Sequence, residues 1–234
     1  IKLKTMKKLI IALYLLATAP QHILAQDEIG MSFSFLFPQN SKFSTPISPL
    51  SVRGLGIKFG KSVSISTGFT AYRMAESTIS NLEFASKSPL LGPSVSFVIP
   101  FEMILKFKLN SNLSLKLNGG VFLFNNVGDA VNEGNLSLAL ADYYQYNMAQ
   151  TDFEYKDKWG WGYQFGIQPI YFVTNQIGIA IKGNYYLGEA DIDLSGTTKG
   201  WSNNEGYIER EESYKGNLDF KGFELSLGVI YKNK

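Results

Sequence analysis

Eight segments of the chain alternate large apolar residues with small or polar ones. The pattern is clearest in 223–231, where the odd positions are apolar while Glu224, Ser226 and Gly228 hold even positions. A period of two predicts β-strands whose two faces meet different surroundings. The predicted strands cover 29–37, 54–60, 63–72, 94–108, 113–124, 160–173, 177–187 and 223–231.

The connections between these strands alternate between tight turns and long segments. Tight turns follow the second, fourth and sixth strands, and the long connections cover 38–53, 73–93, 125–159 and 188–222. Strict alternation puts every long connection at one end of the fold, as in up-and-down barrels of bacterial outer membranes. The predicted fold class is therefore all-β, an eight-stranded antiparallel up-and-down transmembrane β-barrel with four long extracellular loops.

The surroundings of the apolar face distinguish this barrel from a soluble alternative. In a soluble sandwich or a lipocalin-like binder that face would be the core, whereas in a membrane barrel it contacts lipid. Aromatic residues cluster near the strand ends, which favours two membrane-interface girdles, although ordinary β-core aromatics are the alternative. The predicted girdles contain Phe37, Trp159, Trp161, Tyr185, Tyr186, Phe220 and Phe223 toward the loops, and Phe59, Phe107, Tyr171, Phe172 and Tyr231 toward the turns.

The mixed face of the strands is predicted to line a narrow lumen filled by side chains. Buried charges are costly unless opposite signs pair, so we expect a lumen charge network. Its predicted members are Lys58, Glu102, Lys116, Lys182 and Glu224. Pro100 and Pro169 lie inside predicted strands and cannot donate to a ladder, so we expect a bulge or local bend at each.

The N-terminus has the features of a secretory signal peptide. Met6 precedes a basic pair, an apolar run of about a dozen residues and the small residue Ala25. We expect 1–25 to be a signal peptide, with 1–5 as an upstream extension and cleavage near Ala25, and 26–234 to be the barrel domain. Cleavage would leave 18 basic against 20 acidic residues, which gives no basic excess to attract nucleic acid.

Eight alternating segments, three tight turns and four long loops resemble the small OmpA/OmpX-type outer-membrane β-barrel proteins over 28–232. The resemblance rests on pattern rather than on a motif, so it implies a fold and a location in the Gram-negative outer membrane but no site residues. The Ile-Leu-Ala-Gln junction at 23–26 and the Tyr-, Asn- and Lys-rich composition are similar to outer-membrane proteins of Bacteroidota.

The chemistry of the side chains argues against catalysis. The chain has no cysteine, and its single histidine, His22, lies in the predicted signal peptide. Outer-membrane barrels that are enzymes use an active-site histidine, so we expect no enzymatic activity, no cofactor and no transition-metal site. Acidic residues of the fourth loop could bind calcium, although an acidic, solvated loop is the simpler interpretation; they are Asp191, Asp193, Glu209, Glu211 and Glu212.

The third long loop contains the most distinctive aromatic stretch, 139–155. Aromatic side chains of this kind suit a contact surface, and an extended strand rim above the membrane is the alternative. The candidate loop contact surface consists of Tyr143, Tyr144, Tyr146, Phe153 and Tyr155.

Together these features predict a non-enzymatic integral outer-membrane barrel that anchors its loops at the cell surface. The loops would serve adhesion or docking to a membrane complex, with outer-membrane lipid and another outer-membrane or surface protein as partners. The alternative is transport or binding of a small hydrophobic compound through the barrel wall. No conducting pore is expected, because eight strands leave the interior filled.

Overall fold

The computed structural model describes residues 28–39, 47–128, 130–203 and 206–232. The predicted signal peptide and its cleavage site lie outside these residues. The strands are β1 (Glu28–Pro38), β2 (Ile47–Phe59), β3 (Val63–Met74), β4 (Ile79–Ser80), β5 (Ser94–Lys108), β6 (Leu113–Val127), β7 (Met148–Asp157), β8 (Gly160–Phe172), β9 (Ile177–Ser202) and β10 (Gly206–Lys232); the helix α1 is Glu133–Tyr144.

Eight of these strands form a closed antiparallel ring, which confirms the predicted fold class. Each of β1, β2, β3, β5, β6, β8, β9 and β10 pairs with the next, and β10 pairs back with β1. The other two strands, β4 and β7, lie outside the ring, where β4 pairs with β10 and β7 pairs with β9. Closure removes free strand edges, which a sheet surrounded by hydrocarbon requires.

The two faces of the ring have opposite character. In β10, Leu227 is 58% exposed, whereas the neighbouring Glu224 and Ser226 are buried. The outward side chains of the other ring strands are likewise large, apolar and exposed, among them Met31, Ile65 and Ile181. The apolar face therefore points outward, as predicted for a membrane barrel, and the mixed face fills the lumen.

Most of the predicted girdle aromatics lie on the outer surface near the two ends of the barrel. Trp161 and Phe37 are exposed toward the loops, and Phe107 and Tyr231 toward the turns. Three of the predicted girdle aromatics point inward instead, because they occupy strand positions whose side chains face the lumen: Phe172, Tyr186 and Phe220.

The two prolines interrupt a ladder on one side without causing a bulge. Pairing of β8 with β9 skips Pro169 and resumes in the same register at Ile170. Pairing of β3 with β5 skips Pro100 in the same way, and the Thr67 hydroxyl donates to the Pro100 carbonyl at 2.7 Å. Of the predicted bulge or local bend, the bulge is therefore wrong at both positions, since each missing donor costs pairing but leaves the register unchanged.

The bulges lie in and around β2 instead. The register of β2 against β3 shifts between Arg53 and Leu55, and the residue between them, Gly54, has φ 95°. Glycine adopts positive φ without a steric penalty, and this extra residue changes the phase of the strand. Arg53 consequently points into the barrel although Leu55 points outward.

The fourth predicted loop is mostly strand, since β9 and β10 continue beyond the membrane-facing wall as a hairpin. Along β9 the apolar residues change from the outward face to the inward face. Up to Leu187 the odd positions are apolar and outward, but beyond it the buried residues are Ala190, Ile192 and Leu194. The outward positions Glu189, Asp191 and Asp193 are carboxylates suited to water. The prediction ended the strand where the lipid-facing pattern ends.

The third long connection contains α1 and β7. The Asn132 side chain caps α1 by accepting from the Asn135 amide at 3.2 Å, and Leu136 and Leu140 on its inner face are fully buried. In the described part of the chain, no helix is long and apolar enough to cross a membrane.

Candidate functional site

Two opposite pairs of charges meet in the middle of the lumen, in what we call the central ion cluster: Arg53, Glu102, Lys182 and Glu224. The Arg53 guanidinium lies 3.2 Å from a Glu224 oxygen and 3.4 Å from a Glu102 oxygen. The Lys182 ammonium lies 2.7 Å from that same Glu102 oxygen. Both carboxylates and Lys182 are buried, and the cluster carries no net charge.

Neutral groups satisfy the remaining hydrogen bonds of the carboxylates. Glu224 accepts from the hydroxyl of Tyr72 at 2.6 Å and from that of Tyr186 at 2.9 Å. Glu102 accepts from the Asn118 amide at 3.0 Å, and Asn118 also donates to Asn184 at 3.1 Å. Because each ion is paired and hydrogen-bonded, the network tolerates burial and locks the strands that carry it.

A second ion group lies nearer the tight turns. Glu28, at the start of β1, pairs with Lys116 at 2.7 Å and also with Lys106. Lys58 of the predicted lumen network is exposed and lines a small cavity beside this group. The structure thus brings Glu102, Lys182 and Glu224 together, places Lys116 in the second group, and leaves Lys58 at the rim.

A continuous apolar core closes the loop end of the lumen above the central ion cluster. Phe122 packs edge-on against Tyr186 at 4.9 Å between ring centroids, and Phe124 lies 4.8 Å from Phe220. Helix α1 adds Leu136 and Leu140 from above. We call this the loop-end core; its buried members are Leu36, Tyr72, Met74, Ile79, Phe84, Leu90, Leu91, Val98, Phe122, Phe124, Leu136, Ala139, Leu140, Phe153, Tyr186, Ala190, Ile192, Leu194, Tyr214, Leu218 and Phe220.

The candidate loop contact residues mostly pack into this core. Phe153 is 5% exposed and stacks on Tyr214. Tyr144 shares a 3.0 Å hydrogen bond with the Tyr214 hydroxyl, and burial raises the pKa of Tyr214 well above its usual value. Tyr146 and Tyr155 are half-buried, and among the five Tyr143 alone is exposed.

A different row of exposed side chains lies at the tip of the hairpin. Met148 of β7 and Tyr207 of β10 both pair directly with Trp201 of β9. Directly paired residues share one face of a sheet, and these three are 72%, 58% and 54% exposed, respectively. We call Met148, Trp201 and Tyr207 the tip row.

Sequence reasoning missed Arg53, the hydrogen bonds from Tyr72 and Tyr186 to Glu224, and the tip row. Arg53 lay in a predicted loop. The sequence nevertheless alternates there, since the apolar Leu50 and Val52 are interleaved with the polar Ser51 and Arg53, and the alternation changes face at Gly54. The tip row comes from three strands whose register the sequence does not reveal. Among the described residues, no group of three or more His, Cys, Asp or Glu side chains could hold a metal ion.

The sequence matches no protein-family model and no curated protein. Solved structures are similar in fold. The outer-membrane protein OprG from Pseudomonas aeruginosa aligns over 90% of this chain and 97% of its own, with a TM-score of 0.53 at 13% identity. A major outer-membrane protein from Thermus thermophilus aligns over 88% and 98%, with a TM-score of 0.47 at 10% identity. The ring of strands and the OprG likeness together give the fold, that of a small outer-membrane β-barrel.

Proposed function

We propose that the chain is an integral, non-enzymatic protein of the bacterial outer membrane that holds a rigid contact platform above the cell surface. The tight turns would face the periplasm, and the long connections would face outward. The platform is the sheet of β7, β9 and β10 that continues beyond the barrel wall. Its task would be adhesion or docking to a neighbouring membrane complex.

The membrane assignment is supported by the apolar outer wall of the barrel. A soluble protein exposing Met31, Ile65, Ile181 and Leu227 at half or more of their surface would aggregate. Lipid removes this liability, and the exposed aromatics near both ends suit the membrane interfaces.

The tip row is the observation that carries the contact proposal. Tryptophan, tyrosine and methionine are enriched in the centres of protein interfaces, and here they share one face of a sheet. The strands continue directly into the barrel wall, and the loop-end core packs beneath them. A partner would therefore meet a surface that loses little conformational entropy on binding.

Photocrosslinking on intact cells tests this proposal. A photoreactive amino acid at Trp201 or Tyr207 should capture a defined partner, whereas one at Lys87, also at the loop end and with a 92% exposed side chain, should not. Trp201→Ser combined with Tyr207→Ser should abolish copurification of that partner without changing the amount of folded barrel. Equal capture from all three positions, or unchanged copurification, would contradict a tip-row contact.

A groove in the barrel wall supports a second candidate function, binding or passage of a small hydrophobic compound. The groove has a volume of about 590 Å³ on the lipid-facing side, and its lining includes Gly183 and three aromatic residues. It adjoins the interrupted ladder at Pro169. The lining residues are Leu117, Asn118, Phe165, Gly166, Ile167, Gly183, Asn184, Tyr185 and Phe223.

Filling the groove tests this second candidate. A hydrophobic compound that survives detergent purification should be detectable by mass spectrometry of an organic extract. Gly183→Leu should remove it, whereas Leu225→Ile, on the same outer face, should retain it. Extracts without such a compound, or identical extracts from both variants, would exclude the groove as its site.

A further inference from the structure

The turn end of the barrel, defined as 28–30, 56–66, 105–116, 169–180 and 229–232, is strongly basic. Its charged side chains are one carboxylate, Glu28, and the lysines Lys58, Lys61, Lys106, Lys108, Lys116 and Lys232. Like charges gathered at one opening create a positive potential that attracts anions.

Several of these lysines face the lumen rather than lipid. Lys106, Lys108 and Lys232 line a cavity of about 780 Å³ at the turn-end opening. The side chains of the neighbouring Phe107 and Tyr231 point outward and are exposed on the barrel wall. The positive charge is therefore concentrated inside the opening.

The carboxylate of this region, Glu28, already forms ion pairs with two lysines. Glu28 pairs with Lys106 and Lys116, and among the described residues neither Lys108 nor Lys232 forms an ion pair. Lys232 and Lys106 each place their ammonium 5.8 Å from the centroid of the Phe172 ring. Two cations approach one aromatic ring, and Glu28 is the one carboxylate of this end within the described part of the chain, so these residues leave the opening with excess positive charge.

Neutral hydrogen-bonding residues complete the lining. Hydroxyl and amide groups lie between the lysines and could donate to anionic oxygens; they belong to Ser111, Asn112, Ser114, Thr174 and Asn175. Lysine ammonium groups surrounded by such donors suit phosphate, which offers several strong acceptor oxygens. The volume exceeds that of one phosphate ion and lies in the range of small-molecule sites.

We propose that this cavity binds a phosphate-bearing anion, with Lys108 and Lys232 as its principal charged contacts. The phosphate could belong to a soluble phosphorylated molecule or to the headgroup of a phospholipid in the adjacent leaflet. Both sources present the same chemistry to the lysines. This site lies at the opposite end of the barrel from the tip row and is independent of the contact proposal.

Calorimetry with inorganic tripolyphosphate tests the soluble source. The full chain in phosphatidylcholine nanodiscs should bind tripolyphosphate, and Lys108→Gln combined with Lys232→Gln should raise Kd by about tenfold or more. The matched control is Lys87→Gln combined with Lys199→Gln, which removes the same charge at the loop end and should change Kd less than about twofold. Heat-dependent mobility on SDS gels verifies that each variant is folded.

Native mass spectrometry with added phosphatidylglycerol tests the lipid source. Bound phosphatidylglycerol that falls in the Lys108/Lys232 variant but not in the loop-end control identifies a headgroup ligand. Loss of either probe's binding specifically in that variant supports the proposal and assigns the source. Absence of binding by both probes, or equal losses in the variant and the control, overturns it.

Discussion

Glu224 connects side chains of several strands in the interior of the barrel. It is fully buried and accepts hydrogen bonds from Arg53, Tyr72 and Tyr186. Those partners come from three different strands, so one carboxylate links distant parts of the wall. Loss of its charge would leave the central ion cluster with excess positive charge in a buried setting.

We therefore expect Glu224→Gln to lower the free energy of unfolding by about 3 kcal/mol. The measurement is denaturant unfolding in lipid vesicles, followed by tryptophan fluorescence. Glu211→Gln, at an exposed position of β10, serves as the control and should stay within about 0.5 kcal/mol of the wild type. A Glu224 variant as stable as this control would mean that the cluster does not stabilise the barrel.

Gly54 gives a second prediction at the residue scale. Its φ of 95° accommodates the bulge that points Arg53 inward, and alanine there should cost about 1–2 kcal/mol. Gly134→Ala is the matched control, because a Cβ there meets nothing closer than 3.7 Å and alanine favours the helix. Comparable stabilities of the two variants would show that the bulge does not depend on glycine.

For most members of the predicted lumen charge network, Lys58 excepted, the sequence could predict an inward-facing side chain but not which of these side chains meet. The alternation assigns Glu102, Lys182 and Glu224 to one face, since a strand turns every second side chain inward. Their convergence depends on the stagger between strands far apart in the chain. Arg53 was missed for a local reason, because Gly54 reverses the inward and outward positions of β2 and so conceals the short alternation that precedes it.

At the scale of elements, the sequence pattern predicts each ring strand where the strand faces lipid and fails to predict it where the strand faces water. The prediction for 94–108 matches β5 fully, whereas 177–187 covers less than half of β9. Beyond Leu187 the apolar residues move to the inner face, because the loop-end core replaces lipid as their surroundings. A prediction that requires the apolar residues to stay on one face ends the strand at that change. The same prediction misses α1, whose inner leucines pack against the loop-end core.

The lipid-facing wall gives the prediction at this scale. Leu227→Arg should destabilise the folded barrel by about 2–4 kcal/mol, because it places a charge near the middle of the membrane-spanning part of β10. Leu138→Arg is the control, since Leu138 lies on α1 and is 70% exposed at the loop end, where water surrounds it. Vesicle unfolding measures both, and equal effects would argue against a lipid-facing wall.

At the scale of the whole molecule, the lumen is divided into layers from one end to the other. The loop-end core closes one opening, the central ion cluster fills the middle, and a basic cavity opens at the turn end. Small side chains occupy the crowded positions between the large ones. A barrel packed in this way suits the proposed role of an anchor, in which the long connections make the contacts.

This layering predicts that the protein does not conduct. Planar bilayers containing the purified barrel should show no stable openings, because both the loop-end core and the central ion cluster would have to move to clear a path. The control is a general porin purified in the same detergent and added to the same bilayer. Sustained openings of nanosiemens size would contradict the filled interior.

The central claim is that the outward, apolar face of the ring strands contacts hydrocarbon. Lipid quenching tests this claim most directly. The chain has no cysteine, so a fluorophore can be attached to a single introduced one in Ile181→Cys, Leu117→Cys or Ser213→Cys. In vesicles with brominated acyl chains, we predict strong quenching at the first two positions and little at Ser213, which lies on the loop-end hairpin. Weak quenching at all three positions would contradict the claim and the membrane assignment with it.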